Sequence, residues 1–236
     1  MVDQLKTRRQ FVNLAGASAA GIVIAEAGVA VAGDEKGKEK QDEEVSPAED
    51  LMREHGVLKR ILLVYGEAIR RLDGNQELPP DPILDAAKMV RSFVEDYHEK
   101  LEEDFLFPRF RKSNTLMDLV ETLSTQHQGG RKLTDITMRL TTLRSIRDGD
   151  EKRKLRDSLA QFIRMYNPHE AREDTVLFPA FRKIVSKSEY DALGEDFEKK
   201  EHELFGEEGF EKMVDHVAGI ERALGIYDLA QFTPRV

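Results

Sequence analysis

The sequence of 236 residues has no cysteine and no tryptophan. Without cysteine the chain has no disulfide, no iron–sulfur cluster and no zinc site with thiolate ligands. No run of about 18 or more apolar residues is present, so we predict no membrane span in the mature protein. Lysine and arginine are not in excess, since the formal net charge is −9. A nucleic-acid-binding surface is therefore not expected, because phosphate backbones attract basic surfaces.

The first residues resemble a secretory signal. The pair Arg8-Arg9 precedes an apolar stretch at 11–25, and A-x-A cleavage sites follow at 25–27 and 30–32. Paired arginines at this place are typical of the twin-arginine route, which exports folded proteins. We therefore predict a periplasmic or other extracytoplasmic location. The alternative interpretation is an amphipathic N-terminal helix.

The rest of the sequence has the periodicity of helices rather than strands. In the first segment one stripe forms at steps of four and three residues, through Leu51, His55, Leu58, Leu62, Tyr65 and Ile69. Three further segments show the same pattern, separated by short connections. We predict an all-α fold: a four-helix up-and-down bundle, made of a duplicated helical hairpin, with two extra C-terminal helices.

Caps and prolines predict where these helices begin and end. Ser46 followed by proline is typical of a helix start. Pro108 and Pro179 predict the ends of the second and fourth helices, and Pro168 predicts a kink inside the fourth. The third helix is expected to continue to about Asp148.

These features together predict four parts of the chain. Residues 1–32 are the signal, and residues 33–46 form a charged linker with almost no apolar anchor. The bundle covers residues 47–185, and residues 186–236 form a helical C-terminal extension.

One stretch of the sequence occurs twice. HEKLEEDFLFPRFRK at 98–112 and HEAREDTVLFPAFRK at 169–183 are identical at nine of fifteen positions. Each copy begins with His-x-x-x-Glu, which puts both side chains on one helix face a turn apart. Each copy also has an earlier partner histidine on another helix. The candidate metal ligands are His55, His98, Glu102, His127, His169 and Glu173.

All six residues lie on inward stripes, where a carboxylate is costly unless it is paired or bound to a cation. A lone histidine on an apolar face is more often a hydrogen-bonded core residue, and a single His-x-x-x-Glu is a weak signal. Two copies in register favour a metal site instead. Imidazole and carboxylate without thiolate suit iron or manganese, with zinc or copper as further options. Glu99 and the repeated L-F-P-x-F-R-K segment are interpreted as scaffold, the latter keeping the site dry.

This pattern of His, H-x-x-x-E, His, H-x-x-x-E on four helices resembles the hemerythrin-like (HHE cation-binding) domain. The resemblance covers roughly residues 47–185. It implies a non-haem di-iron centre at the six candidate ligands, with Glu102 and Glu173 bridging the irons. It also implies dioxygen, nitric oxide or peroxide as the small ligand. One departure is that oxygen-carrying hemerythrins have a further His one turn after the third-helix His, where this chain has Arg131.

Three functions remain open at this point. The first is an exported non-haem di-iron protein that binds or senses dioxygen or nitric oxide. The alternative is a di-iron enzyme with peroxidase or catalase-like, oxidase or nitric-oxide-detoxifying activity, in which Tyr65 and Tyr166 could donate protons or electrons. The third is a non-catalytic helical protein with a structural polar core or an iron store. His202 is an additional candidate ligand, whereas His216 is expected on a helix surface.

Overall fold

A computed structural model describes residues 45–234 of the chain. The predicted signal at 1–32 and nearly all of the predicted linker at 33–46 lie outside the described residues. Within 45–234 the chain contains helices and no strand, which confirms the all-α prediction. None of the described helices is long and apolar enough to cross a membrane.

Seven helices follow one another in the described part of the chain. They are α1 (Pro47–Asp73), α2 (80–113), α3 (Met117–Leu140), α4 (Leu143–Arg147), α5 (149–184), α6 (Lys187–Phe205) and α7 (Gly209–Ala223). A short 3₁₀ turn at Leu229–Phe232 comes last. Helix α1 packs against α2 and α5, and α3 packs against the same two helices. The chain is thus a helical bundle, while the up-and-down order of four helices stays a prediction.

Side-chain caps explain where the long helices begin. Ser46 accepts a hydrogen bond from the backbone N–H of Glu49, as its sequence context predicts. Asp148 accepts from the backbone N–H groups of Asp150 and Glu151 and so begins α5. The expected extension of the third helix to Asp148 was wrong. Thr142 interrupts it by capping the separate helix α4.

The expected helix ends at Pro108 and Pro179 were also wrong, because both helices continue for several residues. A proline lacks an N–H donor, and its ring clashes with the carbonyl four residues earlier. Here a wide π-helical turn precedes each proline, at Glu102–Leu106 and at Glu173–Leu177. Such a turn shifts the hydrogen bonds by one residue, as between Phe107 N–H and the Glu102 carbonyl. Pro108 and Pro179 therefore do not have to donate a hydrogen bond in the pattern of the helix that precedes the π-helical turn.

The C-terminal helices α6 and α7 pack on α1, and α7 also packs on the beginning of α2. The Tyr190 hydroxyl on α6 accepts a hydrogen bond from the backbone N–H of Ala48 at 3.3 Å. Gly225 ends α7 with a positive φ of 70°, a conformation that glycine adopts without strain. The two extra C-terminal helices are therefore present at the predicted positions.

Candidate metal centre

The bundle brings the six candidate ligands together in its interior. His55 lies on α1, His127 on α3, and each His-x-x-x-Glu pair lies on α2 or α5. Their exposed fractions are at most 4 %, for His55, His98, Glu102, His127, His169 and Glu173. Four helices therefore direct imidazole and carboxylate groups into one space from which water is excluded.

Each glutamate lies between two histidines from different helices. Glu102 Oε2 is 3.4 Å from His127 Nε2 and 4.0 Å from His98 Nε2. Glu173 is 3.0 Å from His169 Nε2 through Oε1 and 3.4 Å from His55 Nε2 through Oε2. The arrangement repeats, so each half of the site has one carboxylate between two imidazoles.

In each of the four candidate histidine ligands, Nδ1 points away from the centre and lies within hydrogen-bond distance of a side-chain oxygen. Nδ1 of His55 lies 2.7 Å from Asp174, and Nδ1 of His98 lies 2.7 Å from Glu54. The other two pairs are His127 with Glu103 at 3.1 Å and His169 with Gln126 at 2.9 Å. Each partner offers an oxygen acceptor, which favours a proton on Nδ1 and leaves Nε2 as the nitrogen that would bind a metal when the ring is neutral. Metal-binding histidines are oriented in this way by their surroundings.

Several inward atoms have no hydrogen bond within the described residues. They are Nε2 of His98 and His127 and both carboxylate oxygens of Glu102 and Glu173. The ion-pair contacts of these atoms, at 3.0–4.0 Å, do not have the geometry of hydrogen bonds. Buried polar atoms are normally satisfied, and unpaired carboxylates in an apolar interior are costly. The residues present therefore fit a cation, which would be coordinated by these atoms.

The pKa values of the inward groups differ strongly from ordinary ones. Burial lowers the pKa of His98 to about 4. Burial opposes protonation of His127 too, but the charge of Glu99 and the contacts with Glu102 and Glu103 raise its pKa to about 10. Burial, together with the charge of Glu173, raises the pKa of Glu102. A bound cation would remove the repulsion between the two carboxylates.

Among the groups of described side chains whose ligand atoms lie within 4.8 Å of one another, two consist entirely of candidate ligands. One contains His55, His98 and Glu102, and the other contains Glu102, His127, His169 and Glu173. Glu102 belongs to both groups, which is the position that a bridging carboxylate requires. Nitrogen and oxygen donors without sulfur suit iron, manganese or zinc.

The repeated L-F-P-x-F-R-K segment covers the site. Phe107 stacks on His127 with ring centroids 5.5 Å apart, and Phe178 stacks on His55 at 5.6 Å. Phe110 and Phe181, from the same two segments, contact each other with ring centroids 6.0 Å apart. All four phenylalanine side chains are buried, so the segment excludes water as we predicted from its sequence.

Glu99 has more contacts than a scaffold residue needs. It is buried, accepts a hydrogen bond from the Tyr166 hydroxyl at 2.6 Å, and pairs with Arg131 at 2.8 Å. Arg131 also pairs with Glu103, the partner of His127. Burial and the charge of Glu99 raise the pKa of the Tyr166 phenol well above its usual value. The identity of Glu99 and Glu170 in the two sequence copies was the signal that could have indicated this network.

The remaining candidates lie elsewhere. His202 lies half-buried on α6 and belongs to neither group of ligand atoms in the described chain. Its role as an additional ligand stays a prediction. His216 is exposed on α7, which agrees with the expected surface position. Tyr65 is fully buried against Phe162, with ring centroids 5.3 Å apart.

An all-helical bundle with buried histidine and glutamate at its centre is the architecture of a metal-binding protein. The sequence matches the hemerythrin HHE cation-binding domain over residues 46–143 and again over residues 118–233, so the chain belongs to that family. The predicted hemerythrin-like resemblance is thereby confirmed.

The chain is also similar to three mycobacterial proteins described as uncharacterized. They are Mb2018 of Mycobacterium bovis and MT2051 and Rv1995 of Mycobacterium tuberculosis. Each is 47% identical over 233 residues, which cover 96% of this chain and 91% of the relative. No solved structure gives a significant match.

Proposed function

We propose that this chain is an exported non-haem di-iron protein that binds or senses a small ligand such as dioxygen or nitric oxide. The observation that carries the proposal is the combination of inward Nε2 atoms with outward Nδ1 atoms that all have acceptors. A structural polar core would pair its inward atoms with one another. Here Nε2 of His98 and of His127 and the carboxylate oxygens of Glu102 and Glu173 have no hydrogen bond among the described residues, and they meet one another only in ion-pair contacts.

Two ions, rather than one, suit the number and position of the donors. The two groups of ligand atoms share Glu102, and each contains two histidines. Family membership supports iron, and manganese or zinc are the alternatives. Iron bound there would supply a Lewis acid and a redox centre for dioxygen, nitric oxide or peroxide.

The protein's own residues orient the imidazole rings of the candidate ligands and keep water away from the site. The four Nδ1 acceptors fix the imidazole rings, which raises the basicity of the ligating nitrogens. Phe107 and Phe178 cover one side of the site and keep bulk water out. A small diatomic ligand needs little space, so a closely packed site of this kind favours it over larger substrates.

A second candidate function is a di-iron enzyme with peroxidase or catalase-like, oxidase or nitric-oxide-detoxifying activity. The observation that favours it is Tyr166, whose ring lies 5.3 Å from the ring of His169 and whose hydroxyl donates to Glu99. An oxidisable side chain beside a candidate metal ligand would serve redox turnover.

The test is metal analysis with optical spectroscopy on protein folded with ferrous iron. We expect close to two irons per chain and visible charge-transfer bands that shift when nitric oxide or azide is added. The variant Glu102→Gln should lose at least one iron, because Glu102 is the carboxylate shared by both groups. Glu121→Gln is the matched control, since that side chain is 57% exposed and pairs with Arg111 on the surface. Less than one iron in the wild-type protein, or unchanged iron in Glu102→Gln, would overturn the proposal.

A further inference from the structure

Tyr166 breaks the internal symmetry of the site. The second and fourth long helices can be aligned from His98 and His169, and the helices before them from His55 and His127. In these two alignments the polar residues around the candidate ligands form similar pairs. These pairs are Glu54 with Gln126, Glu103 with Asp174, Glu99 with Glu170, and Lys59 with Arg131. Tyr166 instead corresponds to Glu95 in the first copy. At this position of the repeat, a tyrosine is thus present in the second copy only.

The Tyr166 hydroxyl is held in one place. It donates to Glu99 Oε1 at 2.6 Å, and Glu99 Oε2 is in turn 2.8 Å from Arg131 Nη2. The side chain is 1% exposed. On α3, Gly130 leaves the space that the phenol occupies, since a Cβ there would lie 2.9 Å from Tyr166 Cζ and nearer still to the hydroxyl.

This geometry combines the two requirements for one-electron oxidation of a phenol. A phenol releases its proton when it loses an electron, so it needs a basic acceptor in hydrogen-bond contact. The Glu99 carboxylate is at that distance. The electron needs a short path to the oxidant, and the Tyr166 ring lies 5.3 Å from the ring of His169.

We propose that Tyr166 is a redox residue of the metal centre, which supplies one electron through His169 after hydrogen peroxide has oxidised the centre. Peroxide would take two electrons from the centre and two protons from solvent, and leave as two water molecules. In this step the O–H bond of Tyr166 breaks, the electron reduces the centre by one equivalent, and the proton moves to Glu99. A small one-electron reductant such as ascorbate then restores the phenol, which takes the proton back. The inference rests on the proposed function, because it requires a redox-active metal.

Tyr65 provides a matched control. It is as deeply buried as Tyr166 and contacts the same Phe162 ring, at 5.3 Å. Its hydroxyl has no hydrogen-bond partner among the described residues. Among the described ring contacts, that of Tyr65 is with Phe162, whereas Tyr166 also contacts His169. A buried phenol that lacks both the proton acceptor and this contact should not be oxidised.

The experiment uses the full chain loaded with iron, treated with hydrogen peroxide, frozen within milliseconds to seconds and measured by electron paramagnetic resonance. We expect a tyrosyl radical in the wild-type protein, identified by the narrowing of its signal when ring-deuterated tyrosine is incorporated. The signal should be lost in Tyr166→Phe and kept in Tyr65→Phe. Glu99→Gln should lower the radical yield several-fold, because an amide does not accept the proton.

The outcomes separate this inference from the proposed function, since iron content is measured first on every sample. A wild-type protein without bound iron would end both proposals. Bound iron without a tyrosyl radical would overturn only the role of Tyr166. A radical that persists in Tyr166→Phe, or that disappears equally in Tyr65→Phe, would do the same. An undiminished yield in Glu99→Gln would contradict the assignment of Glu99 as the proton acceptor.

Discussion

At the scale of single residues, two adjacent glycines on α3 have different roles. Gly130 is buried against the Tyr166 ring, where an added Cβ would be closer than real side chains come. At Gly129 an added Cβ would meet only Met165 Sδ, at an ordinary contact distance of 3.6 Å. Which side chain fills the space at Gly130 depends on the facing helix, so the sequence around Gly130 does not show it.

Replacement of Gly130 by alanine should therefore destabilise the protein by roughly 1–3 kcal/mol, the usual cost of overpacking a core. The Tyr166 hydroxyl should also move away from Glu99. Gly129→Ala should be neutral or stabilising by up to about 1 kcal/mol, because alanine has the higher helix propensity. Denaturant unfolding of the two variants measures this difference. Equal stabilities would contradict the steric role assigned to Gly130.

At the scale of helices, α2 combines an irregular backbone with an unusual interface. Its π-helical turns at Val90–His98 and Glu102–Leu106 lie at the candidate ligands, and wide turns of this kind occur frequently at functional sites. One turn before His98, Glu95 is completely buried between α2 and α3 and accepts a hydrogen bond from Thr134. The interface between these helices thus contains a carboxyl group outside the set of ligands.

Glu95 should make stability depend on pH. Burial raises its pKa to about 7, although the Thr134 hydrogen bond and Arg91 oppose the shift. The folded state therefore binds this proton more tightly than the unfolded state does. The resulting stability is present at acidic pH and is lost as the pH rises through about 7. A shift of this size corresponds to roughly 3 kcal/mol.

As the pH rises from acidic to mildly alkaline, we expect Glu95→Gln to become more stable relative to the wild-type protein. The quantity compared is the difference between their free energies of unfolding. The amide keeps the Thr134 hydrogen bond and carries no charge to bury. Asp96→Asn, on the exposed face of the same helix, is the control and should show no such gain. Urea unfolding of identically prepared proteins across this pH range is the measurement. A difference between wild type and Glu95→Gln that does not vary with pH would show that Glu95 is not protonated in the folded state.

At the scale of the whole molecule, the sequence was sufficient to predict the helical class and the convergence of the six candidate ligands. The spacing of apolar residues indicates which face of each helix is buried, and the internal repeat places equivalent residues on equivalent faces. The passage of α2 through Pro108 could not be predicted in this way. A π-helical turn depends on the register of backbone hydrogen bonds, and residue type reveals that register poorly.

The surroundings of the ligands were also beyond the reach of the sequence. Glu54 and Asp174 are next to ligands in the chain, and their neighbours alone do not show which histidine each one contacts. The structure pairs Glu54 with His98 and Asp174 with His55, across helix interfaces. Such contacts depend on how the helices pack, whereas a stripe on one helix depends only on spacing.

Export belongs to the scale of the whole chain and stays a proposal. The double variant Arg8→Lys/Arg9→Lys keeps the charge but removes the guanidinium pair, so it should remain in the cytoplasm of a bacterium that has the twin-arginine system. Lys6→Arg, beside the pair, should be exported normally. Cell fractionation with detection of the processed protein distinguishes the two. Export of the double variant at the wild-type level would argue for another route or for no signal.

The two copies of the repeat, α1 with α2 and α3 with α5, complete each other's groups of candidate ligands. His55 of the first hairpin faces Glu173 of the second, and His127 of the second faces Glu102 of the first. A hairpin on its own would present an incomplete set of ligands, and two separate copies would have to associate at a sufficient concentration. Fusion into one chain makes this association intramolecular, with a high effective concentration. The intact centre of this protein should therefore survive dilution, which a non-covalent pair of hairpins would not.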